Sequence, residues 1–180
     1  IFDQSDVIII SDYNKGTVTE ALSQFVINAS KQRGIPVIVD PKGPYGKKYC
    51  GATLITPNNM ELIGMTALND GASDADINSV AKELLAELNF DSMALTRSEH
   101  GIRWFDGDQV IDYPTTVQSV TDVTGAGDTV VAALALSMAL NVPVDDMVRF
   151  ANLSAGVVVS KVGTATASLD DIIEHETHLH

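Results

Sequence analysis

Basic side chains are scarce in this chain: 11 Lys and Arg stand against 24 Asp and Glu, for a formal net charge of −13. Binding to a phosphate backbone draws on clustered Lys and Arg. No such stripe occurs, which argues against a nucleic-acid surface and likewise disfavours an anionic membrane surface. A small anionic substrate stays open, because local backbone N–H groups hold phosphate whatever the net charge. Cysteine is as sparse. Cys50 stands alone, which excludes an intrachain disulfide and any redox or zinc spacing and suits a reducing compartment. Absent too is any apolar run near the roughly 18 residues of a membrane span, and no signal-peptide pattern opens the chain. The expectation is a cytoplasmic protein with no membrane partner. An initiator Met is also lacking: the chain begins Ile1-Phe2-Asp3 and enters a strand within a few residues, as a fragment would.

What is present describes a globular α/β protein. With 180 residues, 45 % of them hydrophobic, the chain can bury roughly 70 % of its unfolded surface and is expected to form one domain over residues 1–180. Val7-Ile8-Ile9-Ile10 is a β-branched run typical of a strand covered on both faces in a parallel sheet. Thr17-Val18-Thr19-Glu20 reads as a capping box opening a helix to about Gln32, which Gly34 ends. Residues 35–40 then form a second buried strand, completing a βαβ unit. Further strands are predicted at 53–55 and 92–96, a short helix to about Met65, a longer one over 73–88, and a hairpin of 101–105 with 109–112. Two buried helices follow, at 125–140 and 145–162. Met60 and Met65 read as core filler, and the terminus carrying His175, His178 and His180 reads as a frayed tail.

The most informative stretch is Asp122-Val123-Thr124-Gly125-Ala126-Gly127-Asp128, where a loop with two glycines enters a long apolar helix. Glycines let the backbone approach a ligand, and the first N–H groups of a helix, at its positive dipole end, form an anion site. Asp128 in the first turn could accept a proton from a hydroxyl beside a bound phosphate. A plain helix start with a dipole-compatible acid has the same spacing, and that alternative stays open. Neither the dinucleotide fingerprint nor a P-loop occurs. Asn58 and Glu61 likewise have the spacing of a capping box. Lys15 and Lys42 lie just beyond the C-terminal ends of parallel strands, where open α/β sheets bind ligands, whereas Lys47, Lys48 and Lys82 read as solvated surface.

Residues 122–128 closely resemble the D-[TV]-T-G-A-G-D signature of the ribokinase-like, or PfkB, sugar kinases. Asn58-Asn59-Met60-Glu61 matches that family's N-x-x-E motif, and Thr96-Arg97-Ser98-Glu99-His100-Gly101 stands where the family has its strand-to-turn nucleotide segment. Residues 11–16, 39–43 and 55–58 look most like the kinase domain of bacterial enzymes that phosphorylate D-glycero-β-D-manno-heptose 7-phosphate at C1. Asn14 and Ser98 depart from glycines common in the family. The resemblance implies a three-layer α/β/α ribokinase-like fold with a mostly parallel sheet, of which this chain is the C-terminal portion with the N-terminal part missing. It implies ATP and Mg²⁺ as cofactors and a sugar phosphate as substrate. Asp128 would be the general base, with Gly125, Ala126 and Gly127 stabilising the transferred phosphoryl group. Glu61 would act on Mg²⁺ through water with Asn58 nearby, while Thr96, Gly101 and Asn152 would line the nucleotide pocket and Asp12, Lys15 and Lys42 would bind substrate. The product would be the 1,7-bisphosphate used in ADP-heptose formation for the lipopolysaccharide core. A homodimer and fusion to a nucleotidyltransferase domain are compatible arrangements, although no H-x-G-H motif for that second activity occurs here. The competing readings are another PfkB kinase with a different sugar, or a catalytically incomplete nucleotide-binding fragment.

Overall fold

The computed structural model describes residues 2–115, 122–163 and 165–177. The chain divides into two compact units, Ile1–Thr96 with Arg103–Ile111, and Arg97–Ile102 with Asp112–His180.

The first unit is built on β1 (Ile8–Ser11), β2 (Val37–Asp40), β3 (Leu54–Ile55) and β4 (Ser92–Thr96), neighbours in that order, all parallel. Ile9 stands opposite Ile38, Val39 opposite Ile55, and Ile55 opposite Met93. β5 (Ile102–Asp106) and β6 (Gln109–Tyr113) extend the sheet. Because β1 to β3 are parallel, the segments that follow them, at 12–16, 41–44 and 56–58, emerge along one edge. The continuous apolar runs of β2 to β4 are buried on both faces, as expected. β1 differs: only Ile10 is buried and Ile9 is 43 % exposed, since β1 ends the strand order and has one neighbouring strand.

Helix α1 (Glu20–Lys31) joins β1 to β2. Its N-cap is Thr19, not Thr17. Thr17 is held in a tight turn by the Thr19 N–H, and the extended Thr19 offers its hydroxyl to the N–H of Leu22 at 3.2 Å. α2 (Asn59–Met65) and α3 (Asp74–Leu88) connect β3 to β4. Met60 projects from α2 into solvent at 67 % exposure, whereas Met65 packs on the core with Ile27, Leu84, Leu88 and Phe105.

The second unit contains α4 (Ala126–Ala139) and α5 (Val144–Val159), which pack together, with Val130, Ala133, Leu134, Val148 and Ala151 among their buried residues. α6 (Leu169–Thr177) replaces the expected frayed tail as far as His175; His178 and His180 lie outside the described residues. Ser168 caps it. The Ser168 hydroxyl accepts the Asp171 N–H at 3.2 Å, and Asp171 accepts from the Ser168 N–H and hydroxyl at 2.9 and 2.7 Å. Those bonds, with Lys161 at 3.1 Å, hold the Asp171 carboxyl down at about 2.

Candidate active site

In the second unit, Asp122 ties the glycine loop down. Its carboxylate accepts the Thr124 N–H at 2.9 Å and the Gly163 N–H at 3.2 Å, and its own N–H donates to Val159 O. The bonds from Thr124 and then Gly163 hold its carboxyl below the usual range. Gly125 is the N-cap of α4 with φ 83° and ψ −2°, the left-handed region that costs glycine little and L-residues more. Gly127 has an ordinary helical conformation, and a Cβ there would meet nothing within 4 Å. Nothing among the described residues requires glycine at 127, whose lack of a side chain keeps the helix start open to approach. The Ala126 N–H turns back to Val123 O at 3.2 Å, whereas the N–H groups of Gly125 and Gly127 meet no backbone acceptor among the described residues. Asp128, third in the helix, is exposed. From Gly125 and Asp128 a groove of about 460 Å³ runs past Thr129, Ala132, Leu136 and Phe150.

The nucleotide segment is braced by the end of β6. Arg97 donates to Asp112 at 2.8 Å, and its N–H to Gly101 O at 2.8 Å. Ser98 takes φ 51°, the conformation for which the family's glycine is suited. Gly101, at φ 79°, passes so close to the strand that an added Cβ would lie 2.1 Å from Tyr113 O. Asn152 is buried, and its Nδ2 donates to the same carbonyl at 2.9 Å and to Pro114 O at 3.5 Å. The Tyr113 hydroxyl donates to Asp145; burial first, then that bond, pushes it up to about 12. Gly101 and Asn152 thus meet on the backbone of residues 113–114.

In the first unit, the C-terminal ends of β2 and β3 bring Lys42, Asn58 and Glu61 together. Asn58 and Glu61 form the capping box of α2: Asn58 Oδ1 accepts the Glu61 N–H and Glu61 Oε2 accepts the Asn58 N–H, both at 2.9 Å. The other oxygen of Glu61 is free of the cap, and Oε1 meets Lys42 Nζ at 2.9 Å. That bond raises the Lys42 pKa. Glu61 therefore caps α2 and pairs with Lys42 at the same time. Thr96 extends the β3–β4 pairing to Asn58, its N–H donating to Pro57 O at 2.9 Å. Lys15 is exposed and has no ion pair among the described residues. Lys48 is the clear correction. Its side chain is 11 % exposed and pairs with Asp12, which is 3 % exposed. The turn Gly46–Tyr49 folds it inward, and no local pattern announces a partner 36 positions away.

Burial alone would raise the Asp12 carboxyl, but hydrogen bonds from Lys48, Tyr49 and the Asn14 N–H outweigh it and the net displacement is downward. A carboxyl lowered in the folded state contributes stability above its unfolded value, about 4, and loses it as pH falls through the folded value. The melting temperature is therefore expected to decline below about pH 4. Asp12→Asn should melt lower at neutral pH and lose less on acidification, as followed by circular dichroism; parallel pH profiles would contradict this.

The chain belongs to the pfkB family of carbohydrate kinases, whose sequence model matches residues 1–172. It is similar to the bifunctional protein HldE of Syntrophotalea carbinolica, with 43 % identity over 98 % of the chain, and to HldE of Sulfurimonas denitrificans, with 41 % identity over 97 %. It spans 36 % of the length of each. Phosphofructokinase-2 from Escherichia coli, solved with potassium, matches with a TM-score of 0.81 and 25 % identity, over 96 % of this chain and 56 % of that one. Arabidopsis thaliana ribokinase complexed with ribose and ATP matches with a TM-score of 0.85 and 21 % identity, over 97 % and 56 %. The fold is thus ribokinase-like, in agreement with the expected three-layer α/β/α arrangement.

Proposed function

We propose that this chain provides the catalytic half of an ATP-dependent sugar kinase that phosphorylates D-glycero-β-D-manno-heptose 7-phosphate at C1. The observation that carries the reading is the start of α4: a left-handed Gly125, an open Gly127 and an exposed Asp128 in one turn. Asp128 takes the proton of the C1 hydroxyl as its oxygen bonds to the γ-phosphorus of ATP, and the bond from that phosphorus to the β-phosphate oxygen breaks, releasing ADP. The N–H groups of Gly125 and Gly127 face the charge on the transferred group, a mainly electrostatic contribution.

Mg²⁺ suits the donor set in the first unit. It takes hard oxygen ligands, keeps several waters and is commonly held by one or two carboxylates together with phosphates, and Glu61 Oε1 already holds a cation, the Lys42 ammonium. Glu61 would hold the ion through water, and the ion when bound neutralises phosphate charge. The heptose assignment is supported by the motif resemblance of residues 11–16, 39–43 and 55–58 and by the likeness to the bifunctional relatives. The bifunctional relatives, of which this chain spans 36 %, also support a further domain outside residues 1–180.

Glu61→Gln separates the two tasks of Glu61. Glutamine at this position also closes a capping box, so the melting temperature should change little, while the Mg²⁺ concentration for half-maximal rate rises several-fold. A fall in melting temperature with an unchanged Mg²⁺ requirement would leave Glu61 a cap alone. The substrate is tested by ADP release with heptose 7-phosphate, fructose 6-phosphate, ribose and no sugar. Stimulation by the heptose is expected to exceed the others, and preference for another sugar would move the assignment within the family.

A further inference from the structure

The Lys42–Glu61 pair has one fixed member and one movable one. The Glu61 side chain is 11 % exposed and is tied into the α2 cap, where Oε2 accepts the Asn58 N–H and the Glu61 N–H donates to Asn58 Oδ1, both at 2.9 Å. Asn58 pairs with Thr96 at the end of β4, so the cap is fixed to the sheet. Only Oε1 lies outside the cap, and the Lys42 ammonium meets it at 2.9 Å. The Lys42 side chain is 54 % exposed and reaches Glu61 from the segment after β2 on a flexible stem. An ion pair with one member so exposed contributes little, and a stronger partner displaces it readily.

Glu61 is also poorly supported as a metal ligand in the substrate-free protein. No group of three or more His, Cys, Asp or Glu side chains placed to hold a metal ion occurs among the described residues. Mg²⁺ held by one or two carboxylates relies on substrate phosphates for the rest of its site. Here the one oxygen outside the cap already has a cation at hydrogen-bond distance, and a second cation approaching it would be repelled. A phosphate removes the conflict, because its charged oxygens form strong hydrogen bonds with an ammonium.

We propose that Lys42 is an exchangeable counter-cation: it occupies Glu61 Oε1 in the substrate-free protein and passes to a substrate phosphate on binding, which opens that oxygen to the hydrated metal ion. The proposal rests on the reading of Glu61 as the residue that holds Mg²⁺ through water. It makes metal binding at Glu61 conditional on phosphate binding and, by linkage, phosphate binding responsive to the metal.

The test compares the wild type, Lys42→Met, Lys42→Arg and the double variant Lys42→Met with Glu61→Gln. The first readout needs no turnover: Mn²⁺, which shares the oxygen preference of Mg²⁺, is titrated into the nucleotide-free proteins, and paramagnetic broadening of the Asn58 amide signal is followed by NMR. In Lys42→Met the signal should broaden at a Mn²⁺ concentration roughly two- to fivefold lower than in the wild type, about what a partly exposed ion pair contributes. Lys42→Arg, which keeps the charge, should stay near the wild type, and the double variant should lose the gain. The second readout is kinetic and finds the phosphate. Lys42→Met should raise the KM for ATP if a nucleotide phosphate takes the ammonium, or the KM for the sugar phosphate if that group does. Equal broadening in the wild type and Lys42→Met, a gain that survives Glu61→Gln, or an unchanged KM for both substrates would overturn the proposal. If the wild-type chain releases no ADP with any sugar, the kinase reading fails by itself, and the manganese titration still decides whether Lys42 closes off Glu61.

Discussion

Asp128→Asn is expected to lower sugar-dependent ADP release by about 10²- to 10⁴-fold, the usual contribution of a positioned general base, and to leave ATP affinity nearly unchanged. The substitution keeps the size of the side chain and removes only its ability to take a proton. Phosphate recognition at the start of α4 draws on main-chain N–H groups, which the change does not touch. Loss of a negative charge near the phosphates favours ATP binding if it acts at all. Removing a first-turn acid from a helix costs about 0.3–1 kcal/mol at an exposed site, so the fold should persist. Turnover and titration calorimetry with a non-hydrolysable ATP analogue check the two halves separately. Retained turnover would remove Asp128 from its role, and a matching loss of nucleotide affinity would make it a binding residue.

Gly101→Ala should produce the largest loss of stability. Two costs coincide at this position. The backbone has φ 79° and ψ −138°, a conformation L-residues rarely adopt, and the added methyl would lie 2.1 Å from Tyr113 O and 2.6 Å from Thr115 N. Both obstacles are backbone atoms, so no rotamer change relieves the clash. Strain of this kind with overpacking amounts to about 3 kcal/mol or more, which in a chain of this size lowers the melting temperature by roughly 6–12 °C. Gly127→Ala is the control: its Cβ has open space, so stability should hold or rise slightly. Equal melting temperatures for Gly101→Ala and the wild type would mean that the 97–101 turn is not held against β6 as described.

The parts that sequence made legible are those written in local spacing. The apolar runs of β2 to β4, the span of α3 and the Gly125 turn before α4 each announce themselves within a few residues, because strand burial, helical periodicity and left-handed turns are short-range effects. What stayed hidden depends on topology. Lys42 meets Glu61 only because β2 and β3 are adjacent and parallel, and Lys48 reaches Asp12 only because the turn after β2 folds back over the end of β1. Asn152 and Gly101 share the Tyr113 carbonyl although about fifty residues separate them. Two misses were local all the same. Thr19, and not Thr17, has the extended backbone and the capping hydroxyl, and Ser168 with Asp171 is a capping pair that signals α6.

The most direct test of the central claim is ³¹P NMR of the reaction of ATP, Mg²⁺ and heptose 7-phosphate with the wild-type chain and with Asp128→Asn. The account predicts a new phosphorus resonance coupled to the anomeric proton, growing in step with ADP in the wild type and lacking in the variant. Inorganic phosphate as the only new signal, a phosphate on another carbon, or equal product from both proteins would contradict it.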